Sequence, residues 1–247
     1  MPAARVDPTP EVGPLAGRNA APAAALAGLL AVGGLLARLT RPWWVAGGWA
    51  IDAWAGGASR EHDDVEISVL RQDLEALQTH LQPLGWRLER FASGPHGGSW
   101  VPLALGEAVA RPHFQLRARR EAEDSVGARA PNAEIESIAP REFELFLNDL
   151  EDGGDGAGAR WVSRRHPTVA LPLAALVVAS PVGLPVLAPE VQLLYKAKYH
   201  RPKDEHDFQR ALPLLSAAQR AWLAQALRDY HPADPWLATL ENAPAAA

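Results

Sequence analysis

The chain has 247 residues, with 24 Lys and Arg against 29 Asp and Glu, a formal net charge of −5 and no cysteine. That length suits one ordinary domain with an appendage, or two small ones, and allows a sizeable core. The missing cysteines exclude disulfides and thiolate chemistry, in keeping with a cytoplasmic protein, and a mildly acidic chain without blocks of like charge lacks long-range attraction for nucleic acid or an anionic membrane.

Residues 1 to 20 are rich in Pro, Ala and Gly without periodicity and read as a disordered tail. A helix is predicted over residues 21 to 39, with Leu26, Leu29, Leu30 and Leu36 available for packing. The apolar run from Ala20 to Leu36 nears the ~20 residues that span a bilayer. Its Ala and Gly content, Pro22 and the closing Arg38 and Arg41 favour a buried first helix over a membrane or signal segment. Pro42 ends it, and Trp43, Trp44 and Val45 lead into Gly47 and Gly48. Glycines let backbone N–H groups approach a phosphate closely, and a helix start adds free donors and partial positive charge. The helix that follows carries Trp49, Ile51 and Trp54, read as core and wall, and closes at Gly56 and Gly57.

A strand is predicted over residues 60 to 70. Val65, Ile67 and Val69 fall on one face and Asp64, Glu66 and Ser68 on the other, giving a core face backed by two neighbouring carboxylates. Such acids raise one another's pKa unless a cation neutralises them. Mg²⁺ suits the role, because it takes carboxylate oxygens and completes its shell with water and substrate phosphates.

An amphipathic helix over residues 71 to 83 is followed by a strand from Trp86 to Phe91, a Gly/Ser-rich loop at 93 to 99, and strand material from Trp100 to Leu105 and Pro112 to Arg119, with His113 structural. Residues 120 to 140 read as a loop. Phe143 to Asn148 is a strand with Glu144 set among apolar residues; burying that carboxylate is costly without a partner, so Glu144 is the candidate third acid, with Glu142 as fallback. The other reading of this run is an edge strand with Glu144 facing solvent. Asp152 to Gly156 is a turn. Trp161 to Arg165 is a short strand whose Arg164 and Arg165 lie either near phosphates or on the surface. Pro172, Pro181 and Pro185 break residues 168 to 187 into strand and turn. A helix starts at Pro189 and carries Lys196 and Lys198; another follows Arg201, with Lys203 at its start. A last helix starts at Ser216, with Gln219 completing a capping box, and buries Trp222, Leu223, Leu227 and Tyr230.

The succession Gly47, Gly48, Trp49, Ala50, Ile51, Asp52, then Arg60, His62, Asp64 and Glu66, resembles the nucleotidyltransferase superfamily, and within it the aminoglycoside 2''-adenylyltransferase-like branch with its lincosamide-modifying relatives. The run Arg201, Pro202, Lys203, Asp204, Asp207, Phe208 resembles the same family's later signature, and the resemblance extends from Pro42 to near Leu237. It implies an α+β polymerase beta-like fold, a mixed sheet with flanking helices and a small C-terminal helical part, divided as a tail at 1–20, a nucleotidyltransferase domain at 21–187 and helices at 188–242. It implies that Asp64, Glu66 and Glu144 bind Mg²⁺ and form the catalytic set, that Gly47 and Gly48 hold the nucleoside triphosphate with Lys203 as an electrostatic clamp, and that Asp204 and Asp207 fix the start of their helix. The second acid is Glu66 where the family usually carries Asp; the extra methylene shifts the carboxylate by roughly 1.5 Å.

The expected activity is transfer of a nucleoside monophosphate, AMP from ATP, to a hydroxyl of a small molecule such as an aminoglycoside-like antibiotic, with no nucleic-acid or membrane partner. The alternatives are a catalytically impaired nucleotide-binding module of the same fold, a toxin-type nucleotidyltransferase acting on RNA or protein, and a membrane carrier. Having one run near spanning length argues against the last.

Overall fold

The computed structural model describes residues 22–94, 97–120, 140–152 and 158–242. The expected tail at 1–20, nearly all of the 120–140 loop, most of the Asp152 to Gly156 turn and the chain end after Asn242 lie outside them. Helix α1 (Pro22–Leu36) precedes strand β1 (Trp43–Val45), helix α2 (Gly47–Trp54), strand β2 (Glu66–Leu70) and helix α3 (Leu74–Leu81). Strands β3 (Trp86–Gly94), β4 (Gly97–Pro102), β5 (Gln115–Arg120) and β6 (Glu142–Asn148) follow. Then come β7 (Leu150–Asp152), β8 (Ala159–Val162), β9 (Ala170–Leu171), the one-turn α4 (Leu173–Leu176), β10 (Val177–Ala179) and β11 (Pro185–Leu187). Four helices end the described chain: α5 (Pro189–Lys196), α6 (Pro202–Ala211), α7 (Ala217–Tyr230) and α8 (Trp236–Asn242).

The main sheet has the order β10-β11-β1-β2-β6-β5-β3-β4, and β7-β8-β9 form a smaller one. The class is α+β: β2 runs parallel to β6 while β1 pairs with β2, and β5 with β6, antiparallel. The period of two along each strand sorts the side chains. Val45, Ile67, Val69, Leu116, Leu145 and Leu147 join one core cluster with Leu29, Val32 and Leu36 of α1 and Leu74, Leu77 and Leu81 of α3. Each such side chain taken from water contributes about 1.5–3 kcal/mol, which is what holds these helices to the sheet. The opposite pleat of the two central strands carries Glu66, Ser68, Glu144, Phe146 and Asn148.

The joint between sheet and C-terminal helices is α2. Its Trp49, Ala50 and Ala53 belong to the sheet's core, whereas Ile51 packs into a second cluster with Leu193, Leu194, Phe208, Leu223 and Trp236. Phe208 and Trp236 stack there at 4.2 Å with their planes 3° apart.

Several expectations are corrected. The strand begins at Glu66 rather than at residue 60, because the Arg60 and His62 side chains are committed to Asp207 and Asp52 and the Glu61 carbonyl accepts from Arg60. The helix expected over 71–83 is α-helical only across Leu74–Leu81, with a 3₁₀ turn at each end. Of the Gly/Ser-rich stretch expected as a loop, the described residues are strand: Ser93 and Gly94 end β3 and Gly97 to Ser99 begin β4, with Ser93 opposite Gly98. His113 precedes β5 instead of lying in a strand. Glu144 is not on an edge, since β6 lies between β2 and β5. The capping box at Ser216 and Gln219 is present, but α7 is not the last helix, and Trp222 and Tyr230 are half-buried. No helix of the described residues is long and apolar enough to cross a membrane.

Leu145 is fully buried at the centre of the sheet's apolar face. Leu145→Ala is expected to cost about 3 kcal/mol, read as a lower urea midpoint at unchanged slope.

Candidate active site

The parallel pairing of β2 with β6 sets Glu66 directly beside Glu144, and the turn before β2 brings Asp64 to the same place. Ligand oxygens of Asp64, Glu66 and Glu144 all lie within 4.8 Å of one another; the first two residues are half-buried and Glu144 is buried. They share a cleft of about 210 Å³ whose walls include Gly47, Gly48 and Lys203. Burial, reinforced by the Asp64 charge, pushes Glu66 up to about 7. Burial also raises Asp64, with Asp63 adding to the effect and Lys203 opposing it. The donor set fits a hard cation: three carboxylates converge with oxygen donors only, and burial raises the pKa of two of them despite the cations nearby.

The double glycine makes this convergence possible. Gly47 has φ +66°, and a Cβ there would fall 1.2 Å from Glu66 Oε2; a Cβ on Gly48 would fall 2.1 Å from Arg60 Nη2 and 2.8 Å from His62 Nδ1. The longer Glu66 side chain therefore occupies the space that Gly47 leaves open. The Gly47 N–H donates to Gln192 Oε1 at 2.8 Å, so this amide holds α5 in place, a use that the expectation of a phosphate cradle did not include.

Around the acids lies a shell of ion pairs. Arg60 donates to both oxygens of Asp207, at 2.8 and 2.9 Å, and Lys196 contacts Asp207 at 2.7 Å and Asp204 at 3.3 Å. Arg201 donates to Asp204 at 2.8 Å through Nε, and its backbone N–H donates there at 3.1 Å. Asp204 thus caps the start of α6 as expected. Asp207 does something else, tying α6 to the chain before β2 and to α5. Lys203, the expected clamp, reaches the cleft and pairs with Asp63 at 3.3 Å, its side chain 34% exposed.

Sequence reasoning missed a second supporting group. Asp52 is fully buried and accepts from the Ser59 amide at 2.8 Å, Ser59 Oγ at 2.5 Å and His62 Nε2 at 2.8 Å. Burial alone would raise its pKa, but the hydrogen bonds from His62 and Ser59 outweigh it and hold the carboxyl below its ordinary value. His62 stacks on Trp49 at 3.9 Å, and burial lowers its pKa. The Asp52 hydrogen bond and charge oppose that shift, and the contact between the two side chains fixes the ring against Trp49. An acid on the buried face of an apolar helix was the available signal.

An α+β sheet with an all-carboxylate site at the floor of a cation-lined cleft defines a protein suited to a hard cation and a polyanion. Residues 28–93 match the family model described as Aminoglycoside-2''-adenylyltransferase. A 2''-aminoglycoside nucleotidyltransferase of Klebsiella pneumoniae is 38% identical over 47 residues, 19% of this chain and 27% of that protein. The match thus spans about a quarter of that relative's length. The solution structure of the antibiotic-resistance factor ANT(2'')-Ia aligns at TM-score 0.48 and 18% identity, covering 85% of this chain and 94% of the other. The lincomycin-bound lincosamide antibiotic adenylyltransferase LnuA aligns at TM-score 0.46 and 16% identity, covering 74% and 93%. The chain resembles the aminoglycoside 2''-adenylyltransferase-like branch of the nucleotidyltransferases, as its motifs implied, and the family match contains Gly47, Gly48, Asp64 and Glu66.

A cation held by these acids would displace the Glu66 proton, which would link its binding to pH. Mn²⁺ affinity, followed by electron paramagnetic resonance, is expected to be level above about pH 7 and to fall as pH drops below the Glu66 value of about 7. In the metal-free protein the same raised pKa works the other way: it favours the fold below the ordinary value of 4.5, and that contribution is lost as pH rises through about 7.

Proposed function

We propose that the protein is a nucleotidyltransferase that moves a nucleoside monophosphate, AMP from ATP, to a hydroxyl of a small molecule and releases pyrophosphate. The observation that carries this reading is the convergence of Asp64, Glu66 and Glu144 within 4.8 Å in a cleft that also presents Lys203 and Arg201. Residues 21–187 then supply the catalytic acids, and residues 188–242 supply the cations that face the triphosphate.

In this reading Asp64, Glu66 and Glu144 hold Mg²⁺, which when bound neutralises phosphate charge and activates the α-phosphorus. Glu144, at the buried end of the site, accepts the proton of the acceptor hydroxyl. The acceptor oxygen forms its bond to the α-phosphorus as the bond to the bridging oxygen of pyrophosphate breaks. Lys203 and Arg201 stabilise the charge that develops on that leaving group. Gly48 lets the backbone come close to phosphate, while Gly47 keeps Glu66 in range. Arg60, Lys196, Asp204 and Asp207 act on position, locking α6 and its Lys203 against the site.

A second reading, a nucleotide-binding module without turnover, draws on one observation: the Gly47 amide is already given to Gln192. One pair of variants separates the two. Asp64→Ala is expected to weaken MgATP in isothermal titration by about tenfold or more, since a ligand to the cation is lost. Glu144→Gln, which keeps an oxygen donor but loses its charge and its basicity, is expected to weaken MgATP less than Asp64→Ala does while lowering pyrophosphate release by roughly 10²–10⁴-fold. Unchanged MgATP binding in Asp64→Ala would overturn the assignment, and wild-type binding without any pyrophosphate release across a panel of hydroxylated acceptors would favour the second reading.

A further inference from the structure

The cleft does not end at the acids. Phe146 lies two residues past Glu144 on β6, roughly 7 Å along the strand. Phe114 stacks on it with centroids 6.3 Å apart and planes at 26°. The Arg164 guanidinium lies over the other ring, its Cζ 3.4 Å from the Phe114 centroid. Trp161 also lines this end and gives its Nε1 proton to Asn148 Oδ1 at 2.9 Å. Asn148 Nδ2 donates to the carbonyls of Val69 and Phe146, so the polar atoms of Asn148 and Trp161 are engaged within the fold and this wall offers aromatic faces and a cation.

Among the described residues, the acids that line the cleft are Asp63, Asp64, Glu66 and Glu144. Three form the candidate metal site, and the fourth is paired with Lys203. No carboxylate of the described residues pairs with Arg164. Asp149, whose charge reaches it, is already held by Arg71 at 2.8 Å and Arg111 at 3.2 Å. An ammonium group placed here would lose its hydration without gaining an anionic partner, and would meet a like charge. A flat ring with a negative charge would find both its complements, stacking and a guanidinium.

We infer that the acceptor is a hydroxylated small molecule with a flat apolar ring and an anionic group, and not a polycationic amino sugar. The inference rests on the nucleotidyltransferase reading above and deepens it: the triphosphate occupies the Gly48 and Lys203 side of the acids, the acceptor the Phe146 and Arg164 side. Its hydroxyl is presented to Glu144 by the ring that stacks beyond it. The family resemblance, by contrast, points to aminoglycosides; the described wall has the opposite charge to that required.

The test uses two flat fluorescent probes of opposite charge, anionic 8-anilinonaphthalene-1-sulfonate and cationic proflavine, titrated into the full chain with tobramycin as a polycationic competitor. MgATP is titrated calorimetrically on the same samples. Wild type is expected to prefer the sulfonate by roughly tenfold or more, with tobramycin failing to displace it. Arg164 is solvent-exposed, with its guanidinium packed on Phe114, so the thermal melting of each variant is measured beside wild type to establish that the fold is kept. Arg164→Gln is expected to shrink the preference and Arg164→Glu to abolish or reverse it, both with MgATP affinity within a few-fold of wild type. Displacement by tobramycin, a preference unmoved by Arg164→Glu, or a loss of MgATP affinity in that variant with the sulfonate unaffected would each overturn the inference. Absence of MgATP binding to the wild type would instead overturn the nucleotidyltransferase reading, whatever the probes do.

Discussion

The structure turns on the repulsion between carboxylates that a parallel strand pair forces together. In register, Glu66 and Glu144 face the same side of adjacent strands, and Asp64 joins them from the turn before β2. Nothing in the apolar core asks for this; the core needs only the alternate positions Ile67, Val69, Leu145 and Leu147, which would pack equally well with neutral residues opposite. Three acids gathered on a half-buried surface are a cost to folding, visible in the raised pKa of Glu66, and a bound cation would relieve it.

The rest of the molecule keeps that arrangement from relaxing. Gly47 leaves the volume into which Glu66 is pressed, and its amide holds Gln192. Arg60, Asp207, Lys196 and Asp204 form a buried chain of alternating charge from the approach to β2 across to α5 and α6. Such pairs are weak evidence for stability, because desolvation offsets much of the attraction, but removing one member would strand the others and cost several kcal/mol. Their effect is geometric: Lys203 and Arg201 ride on a helix whose start is tied to the acids' own loop. The apolar counterpart is α2, with Ile51 in the C-terminal cluster and Trp49 in the sheet's.

How much of this the sequence disclosed depends on range. The alternation from Asp64 to Val69 is local and reads directly as a strand with acids on one face. The cost of Glu144 among Phe143, Leu145 and Phe146 singled it out, and the Ser216–Gln219 box marked a helix start that the structure has. The long-range terms were hidden. Asp207 looks like one more polar residue near a helix start until Arg60, far away in sequence, is seen to grip it. Asp52 and His62 gave only the hint of an acid on an apolar helix. Glycines 97 and 98 suggested a loop because their composition does, yet Phe91 fills the space beside Gly98, where a Cβ would fall 2.2 Å from its ring. The last helix has a start signal that sequence reasoning passed over: Asp234 precedes Pro235 and its Oδ1 accepts from the Trp236 amide at 2.9 Å.

Anomalous diffraction from crystals soaked in Mn²⁺ addresses the central claim most directly. The account predicts a peak bonded to oxygens of Asp64, Glu66 and Glu144 together, and its disappearance in Asp64→Ala. A peak confined to other residues, or none at a concentration that saturates the protein in solution, would contradict it.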